Sequence, residues 1–273
     1  MANNKFSNLI NISNSLRRRI LELTFGVGPS GTHLGAALSV VEILTYLYCT
    51  KLNMTKQNLK TKERNRFILS KGHSALALFT ILEHLGFIRN EKLNTFEKNG
   101  SSYYAHAKRD LSEAIEFSGG SLSLGLSFAV GVALTLKKEN IKNDVYVLVG
   151  DGECDEGLIW ESLMSASHYN LTNLNLIVDF NNLQSDGYTK EIMDKSTLGK
   201  KIESFGFNVQ ETDGHNFDKL DKCFLQKDSS KPNAIIAYTV KGKGVSFMEN
   251  SPDWHHGHLT EKQYQSALSE LEI

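Results

Sequence analysis

With 273 residues, 40% of them apolar, the chain is long enough to bury a full hydrophobic core. Thirty basic residues against thirty-one acidic ones leave almost no net charge, so composition argues against a general nucleic-acid or membrane-surface role. The three cysteines are scattered and form no Cys-x-x-Cys pair, which argues against a disulfide framework and a zinc site. Neither a signal-peptide pattern nor an apolar run of roughly 20 residues is present, so we expect a soluble, cytoplasmic protein.

The predicted helices and strands alternate along the chain. Helices are predicted at residues 6–25, 36–49, 75–85, 126–138, 157–169, 199–205 and 217–226, with a further one at the C-terminus. Strands are predicted at residues 67–69, 145–149, 174–178, 208–211 and 234–238. This alternation predicts an α/β fold with a mostly parallel sheet and helices on both faces. Because no repeat or linker interrupts the chain, we expect residues 1–273 to form a single domain.

The first predicted helix carries three consecutive arginines, Arg17, Arg18 and Arg19, among apolar residues at helical spacing. Such a pattern is typical of a surface helix with a solvated basic face. We therefore predict that the three guanidinium groups face solvent and do not form a nucleic-acid-binding patch.

Oxygen-rich turns follow the second and third predicted strands. The second strand leads into Gly-Asp-Gly-Glu, beginning at Gly150, and the third into Asp-Phe-Asn-Asn, beginning at Asp179. Neighbouring parallel strands place both turns at the same edge of the sheet, where open α/β sheets bind ligands. Mg²⁺ prefers oxygen ligands and usually keeps a phosphate among them. We predict a metal and diphosphate site with Asp151 as a charged ligand, Asn181 as a neutral one and a backbone carbonyl as a third.

A glycine-rich turn precedes the predicted helix at residues 126–138. Its Gly120-Ser121-Leu122 stretch is suited to phosphate binding, because glycine allows close backbone approach and a helix N-terminus favours negative charge. The same residues are also compatible with an ordinary turn without a ligand.

Four histidines, His33, His73, His106 and His255, fall in turns beside glycine or small residues. A shared pocket would allow them to transfer protons and stabilise an oxyanion near pH 7. An alternative for the stretch from His255 to His258 is a zinc cluster, which its His-x-His spacing and the lack of a helix disfavour. Dinucleotide binding is also disfavoured, because the GDGECDEG turn after the second predicted strand is not GxGxxG and no GxxxxGK[ST] occurs. Asp151 would also repel a pyrophosphate without an intervening metal.

Taken together, these turns resemble a known family. GDGECDEG followed by DFNNLQSDG resembles the thiamine diphosphate signature. The further motifs SKGH, GGSL, VKGKG and WHHG make the chain similar to transketolases specifically, with matching stretches in the same order from Gly31 to His255. The resemblance implies the thiamine diphosphate-binding fold and the cofactors thiamine diphosphate and Mg²⁺ or Ca²⁺.

The resemblance also implies a role for each matching residue. The metal ligands would be Asp151, Asn181 and the carbonyl of Leu183. The cofactor contacts would be His73, Gly120, Ser121, Leu122, Gly152, Asn181, Lys241 and His255. The catalytic residues facing the sugar would be His33, His106 and His255, and Glu156 would belong to the acidic network that joins paired active sites. The cofactor would supply the carbanion sink while the histidines move protons as a two-carbon ketol unit passes from a ketose to an aldose.

The chain departs from the family pattern in three places. The usual Ser-Gly-His-Pro-Gly turn is replaced by Gly31-Thr-His-Leu-Gly35, and Ser123 stands where the family has a glycine in Gly-Ser-Leu-Gly-Gln-Gly. Both changes fall in turns where the backbone would approach the cofactor. In addition, the family's pyrimidine-binding domain and C-terminal domain are absent from the sequence.

These features lead to one preferred hypothesis and two alternatives. The preferred hypothesis is the N-terminal subunit of a split transketolase that acts on sugar phosphates with a separate C-terminal subunit, with two copies of each chain expected. One alternative is another thiamine diphosphate enzyme subunit, such as a specialised ketose transferase or a 2-oxoacid dehydrogenase subunit. The other alternative is a non-catalytic binding subunit that retains the fold.

Overall fold

The computed structural model describes residues 5–271, and the strands within that range form a single parallel sheet. They are β1 (Arg66–Leu69), β2 (Val145–Gly150), β3 (Leu174–Phe180), β4 (Asn208–Asp213) and β5 (Asn233–Tyr238). The order across the sheet is β1-β2-β3-β5-β4, with every pairing parallel. β2 and β3 are buried along their whole length, as expected for strands covered on both faces.

The helices connect and cover these strands. They are α1 (Ser7–Val27), α2 (Leu34–Leu38), α3 (Val41–Tyr46), α4 (Ala75–His84), α5 (Asn90–Leu93), α6 (Leu124–Lys138), α7 (Gly157–His168), α8 (Thr189–Ile192), α9 (Leu198–Ser204), α10 (Phe217–Leu225) and α11 (Glu261–Glu270). Between residues 5 and 271, no helix is long and apolar enough to cross a membrane.

The sheet separates two hydrophobic cores. Leu148 and Ile177 pack on one face with α1 to α4, whereas Val147 and Val178 pack on the other with α6, α7 and α9. Alternate residues of each strand point to opposite faces, so one apolar run serves both cores. The predicted α/β fold with helices on both faces is thereby confirmed.

The predicted helix at residues 36–49 is interrupted in the structure. It divides into α2 and α3, and an irregular helical turn with π-type hydrogen bonding follows at Leu47–Lys51. The break lies at Ser39, whose Oγ is 2.7 Å from Oδ2 of Asp179 in β3. The apolar pattern could not reveal this break, because the bonding partner of Ser39 is 140 residues away along the chain.

β3 is longer than predicted. The sequence placed Asp179 in the turn after the strand, but the residue pairs with Gly150 of β2 and Ala237 of β5 inside the sheet. Its carboxylate is fully buried, so the last residue but one of β3 places a charged side chain in the core.

The prediction that all three arginines of α1 have a solvated guanidinium is wrong for Arg17 and Arg19. Arg17 is only 4% exposed, and its guanidinium pairs with Glu42 of α3 at 2.6 and 2.8 Å. Arg19 forms a two-bond pair with Glu83 of α4 at 2.8 and 2.9 Å. Periodicity identified the helix, but the acidic partners on α3 and α4 are brought near only by helix packing.

The Arg17–Glu42 pair should make a contribution to the free energy of unfolding that changes with pH in the acid range. Burial favours the neutral carboxyl, but the Arg17 charge and the His215 hydrogen bond outweigh it and lower the pKa of Glu42 from 4.5 to about 2. Because the folded-state pKa is the lower one, this stabilisation is present above pH 4.5 and is lost as the pH falls towards 2. A shift of this size corresponds to about 3 kcal/mol.

We therefore expect Glu42→Gln to lower the free energy of unfolding at neutral pH. The difference from the unsubstituted chain should shrink as the pH falls from 4.5 towards 2. Urea denaturation at a series of pH values measures this difference. A difference that stays constant over the acid range would contradict the assigned role of Glu42.

Candidate active site

A cavity of about 350 Å³ opens at the carboxyl edge of the sheet, and most of the predicted site residues line it. The predicted residues in its lining are His33, His73, His106, Gly120, Leu122, Asp151, Gly152, Asn181, Leu183, Lys241 and His255. They come from turns that are far apart in the chain. The parallel order of the strands brings these turns to one edge.

The predicted metal ligands lie side by side at the ends of β2 and β3. The carboxylate of Asp151 accepts hydrogen bonds from the backbone N–H groups of Gly152 at 2.8 Å and Asn182 at 2.6 Å. Burial, together with the negative charge of Asp179, raises the pKa of Asp151 to about 6. A cation beside Asp151 would stabilise the charged carboxylate and so offset the effects of burial and of Asp179 on its pKa.

The amide of Asn181 has a defined orientation. Its Nδ2 donates to Asp179 Oδ2 at 2.9 Å, and its Oδ1 accepts from the backbone N–H of Leu183 at 3.0 Å. Because the amide nitrogen is held by the carboxylate, the oxygen lies on the opposite side, where it can also serve as a ligand.

Asp179 is the centre of a buried network that the sequence did not single out. Its carboxylate pairs with Lys71 and accepts hydrogen bonds from Ser39, Thr239 and Asn181. Burial opposes ionisation, but Lys71 and the hydrogen bonds outweigh it and lower the pKa of Asp179. One carboxylate thus connects the turns after β1, β3 and β5 with the junction of α2 and α3.

Glu153 joins a second set of turns and was also missed as a site residue. Its buried carboxylate accepts hydrogen bonds from Ser70 Oγ, from the Ser123 N–H at 2.7 Å and from the Gly150 N–H at 2.9 Å. Burial raises the pKa of this carboxyl. Glu153 is the last residue of the Gly-Asp-Gly-Glu motif, and this position is the sequence feature that could have identified it as a site residue.

The substituted position Ser123 has a backbone conformation that favours glycine. Its φ is +71°, in the left-handed region, where a side chain costs about 1 kcal/mol. The Ser123 N–H points to Glu153 and the residue is 3% exposed. Serine therefore retains the turn, and it does not line the cavity.

The glycine-rich turns touch through their backbones. A Cβ on Gly72 would lie 2.9 Å from the nitrogen of Gly120, and one on Gly119 would lie 2.9 Å from the Cα of Gly72. Only glycine allows these turns to approach so closely. The contact places Gly120 at the cavity wall beside His73 and His106.

The four predicted histidines form one cluster with His33 at its centre. The His33 ring centroid lies 5.9 Å from that of His73, 5.6 Å from that of His106 and 5.5 Å from that of His255. A fifth ring, His256, lies 4.8 Å from His33 at an exposed position. The predicted shared pocket therefore exists as a geometric cluster.

Three of these imidazoles are neutral at pH 7. Burial, followed by the charges of His256, His106 and Lys241, lowers the pKa of His33 to about 4. Burial and Lys241 lower the pKa of His255 to about 3, and burial and Lys71 lower that of His73 well below 6.5. Neutral imidazoles can both accept and donate hydrogen bonds, as proton transfer at a sugar hydroxyl requires.

Lys241 supplies a cation to the same cavity. Its Nζ lies 2.9 Å from Nδ1 of His255 and 3.4 Å from the carbonyl oxygen of Leu183. Burial and the nearby charge of Lys71 lower the pKa of Lys241 to about 8. A protonated Lys241 is only a donor, so Nδ1 of His255 accepts and the ring proton lies on Nε2.

The altered turn around His33 is held by the loop that carries His255. Thr32 and Gly257 exchange two backbone hydrogen bonds, of 2.8 and 2.9 Å. The Thr32 hydroxyl, which is buried, also lies 3.1 Å from that of Thr24. The two loops therefore keep His33 and His255 together despite the departure from the family pattern.

Two predicted residues lie outside the cavity lining. Ser121 is exposed, and Glu156 is exposed just before α7. The zinc alternative for His255, His256 and His258 finds no support, because residues 5–271 contain no group of three His, Cys, Asp or Glu side chains that could hold a metal.

The buried Lys71–Asp179 pair predicts a large effect on stability. Lys71→Met would leave the Asp179 carboxylate buried without its cation, and breaking a buried pair in this way costs about 3–5 kcal/mol. Urea denaturation should show this loss. The matched control is Lys62→Met, which removes an exposed pair with Glu139 and should change stability little. Equal effects of the two substitutions would argue against the central role of Asp179.

Comparison with known proteins finds one family. The protein-family model for the transketolase thiamine diphosphate binding domain matches residues 18–271. A protein of Actinobacillus succinogenes, named as a subunit of apulose-4-phosphate transketolase, is 40% identical over 94% of this chain and 93% of its own length. A 6-deoxy-6-sulfo-D-fructose transketolase subunit from a Clostridium species is 38% identical over 95% of this chain and 94% of its own length.

Solved structures agree with this result. The transketolase of Campylobacter jejuni superposes with a TM-score of 0.88 at 27% identity. The alignment covers 97% of this chain but only 43% of the solved one, so the present chain spans less than half of that protein. On the family match, the relatives and the fold, the chain belongs to the transketolase family, as its thiamine diphosphate binding domain.

Proposed function

We propose that this chain is the N-terminal subunit of a thiamine diphosphate-dependent transketolase that transfers a two-carbon ketol unit from a ketose phosphate to an aldose phosphate. The observation that carries the proposal is the joining, in one cavity, of the oxygen ligands at Asp151 and Asn181 with the His33 cluster. A hard-cation site beside neutral imidazoles is suited to a diphosphate cofactor and a sugar substrate.

The active enzyme would require a second chain, separately encoded, that carries the pyrimidine-binding domain. Two relatives that match this chain over nearly their whole length are named as transketolase subunits, whereas the solved Campylobacter jejuni chain is more than twice as long. We propose a hetero-oligomer with two copies of each chain. A cytoplasmic location and a single domain over residues 1–273 complete the proposal.

The metal side of the cavity fits Mg²⁺ or Ca²⁺. Asp151 would provide a carboxylate, Asn181 its oriented Oδ1 and Leu183 its carbonyl oxygen, which is the kind of oxygen set that these cations bind. The raised pKa of Asp151 supports this assignment, because burial leaves its negative charge in need of a nearby cation. The diphosphate would supply further ligands.

Unsatisfied polar atoms support the fit of the organic cofactor. Within the described part of the chain, Nδ1 of His33 and Oε1 of Gln184 are buried and have no hydrogen-bond partner, and both residues line the cavity. A buried polar atom without a partner is costly, so a ligand that bonds to it gains affinity. Gly120, Leu122 and Gly152 would provide the close walls and Lys241 a positive charge for the diphosphate.

When bound, thiamine diphosphate supplies the electron sink that makes ketol transfer possible. His33, His106 and His255 would hold the sugar, and the neutral rings of His33 and His255 would donate to the developing alkoxide and accept protons from hydroxyl groups. His73 would contact the cofactor. The exposed residues Ser121 and Glu156 lie outside the cavity, so their proposed roles, contact with the cofactor and with the other active site, would depend on the assembled complex.

The proposal predicts that activity depends on the partner. The purified chain should show no ketol transfer from a ketose phosphate to an aldose phosphate, and addition of the pyrimidine-domain chain with thiamine diphosphate and Mg²⁺ should restore it. Product analysis by mass spectrometry checks this. Robust turnover by the chain alone would contradict the split enzyme, and turnover of a 2-oxoacid instead would favour the alternative enzyme class.

The metal assignment predicts a specific loss of cofactor affinity. In the assembled complex, Asp151→Asn should weaken Mg²⁺-dependent binding of thiamine diphosphate by roughly 100-fold or more, because a charged ligand becomes neutral. Asp155→Asn is the matched control, since this carboxylate lies in the same turn but pairs with Lys195 outside the cavity. Calorimetry measures both affinities. If the unsubstituted complex binds no cofactor, the non-catalytic alternative is favoured.

A further inference from the structure

Lys241 reaches the cavity from a turn that has no regular secondary structure of its own. β5 ends at Tyr238, and Lys241 follows three residues later with a side chain that is only 2% exposed. Its carbonyl accepts from the Asn250 N–H at 2.9 Å, and the neighbouring Gly242 N–H donates to Gly35 O at 3.0 Å. The position of the ammonium group therefore depends on what holds this turn.

A buried charged network lies directly behind the turn. The Arg17 guanidinium pairs with both oxygens of Glu42, at 2.6 and 2.8 Å. The same carboxylate lies 2.8 Å from Nδ1 of His215, which follows β4. Arg17 and Glu42 are 4% and 7% exposed, so these contacts are shielded from solvent.

His215 connects this network to the turn through a single ring. Its Nε2 accepts a hydrogen bond of 2.8 Å from the backbone N–H of Val240, the residue before Lys241. Because Nε2 accepts from an amide, the ring proton lies on Nδ1 and is donated to Glu42. Each ring nitrogen of His215 therefore has one defined partner, and these two partners, Glu42 and the Val240 N–H, together fix the tautomer.

Arg17 holds the other side of the turn. Its Nε donates to the carbonyl of Lys243 at 2.9 Å. Gly244 packs against the same side chain, since a Cβ there would lie 2.8 Å from Cδ of Arg17. The network thus contacts the backbone at Val240 and at Lys243, on both sides of Lys241.

We propose that Arg17, Glu42 and His215 are positioning residues for Lys241. They hold the Val240–Lys243 turn so that the ammonium group stays beside His255 and the carbonyl of Leu183. This inference rests on the proposed function, in which Lys241 contacts the cofactor diphosphate. None of the three residues lines the cavity, so they act only through the turn.

Two substitutions at His215 separate its contacts. Asparagine places an amide nitrogen near the position of Nδ1 and keeps the Glu42 contact, whereas glutamine places an amide oxygen near Nε2 and keeps the Val240 contact. Hydrogen exchange of the Val240 amide in the full chain is the direct measurement. It should accelerate about tenfold in His215→Asn, as expected for one lost hydrogen bond, and much less in His215→Gln. Equal exchange in both variants would overturn the proposal.

Cofactor binding by the complex with the partner subunit tests the connection to Lys241. His215→Asn should weaken Mg²⁺-dependent thiamine diphosphate binding by about tenfold in calorimetry, with His215→Gln close to the unsubstituted complex. The effect of His215→Asn should disappear in a Lys241→Met background, because the group that it positions is gone. Additive effects of the two substitutions would overturn the proposal.

Arg17→Met and Arg19→Met form a matched pair on α1. Each removes a two-bond arginine–glutamate contact, but only Arg17 touches the Lys241 turn. Both should lower the unfolding midpoint, and only Arg17→Met should weaken cofactor binding. Equal weakening by both would assign the effect to general stability and overturn the proposal. If Lys241→Met alone leaves affinity unchanged, the proposed role of Lys241 fails, which is distinct from failure of the positioning network.

Discussion

The buried pair between Lys71 and Asp179 is the interaction on which the rest of the active site depends. Removing two charges from water is costly, and the cost is offset only when both find several partners. Asp179 meets this requirement with donors from Lys71, Ser39, Thr239 and Asn181. Because these donors belong to separate elements, the need to satisfy one carboxylate brings the ends of three strands into a single arrangement.

The cavity follows from this arrangement and from a second carboxylate. Glu153 joins the turn after β1 to the glycine-rich turn before α6, while Asp179 orients the amide of Asn181. Asn181, a proposed metal ligand, is therefore held by the buried carboxylate behind it, and the turns around the cavity are joined by the buried carboxylate of Glu153. Preorganisation of this kind is what a site for a highly charged ligand needs, since reorientation on binding would cost affinity.

The histidine cluster shows how burial sets chemical character. His33, His73 and His255 share a crowded, desolvated space with Lys71 and Lys241, and their lowered pKa values keep them neutral. Neutral rings are suited to exchanging protons with hydroxyl groups, whereas the lysines carry the positive charge that complements a diphosphate. One cavity thereby places neutral imidazoles beside lysine side chains.

The sequence by itself determined the fold class, the family and most of the residues that line the cavity, because strand ends in parallel sheets meet at one edge and the motifs mark those ends. It did not single out Glu153, which also lines the cavity, and it included Ser121 and Glu156, which do not. The roles of Asp151, Asn181 and the histidines stay predictions. Tertiary structure alone decided which charges are buried: the contacts of Asp179, Glu153 and Arg17 join segments far apart in the chain. Local sequence patterns indicate periodicity and turn-forming residues, but they do not indicate which distant side chains the packing of the fold brings into contact.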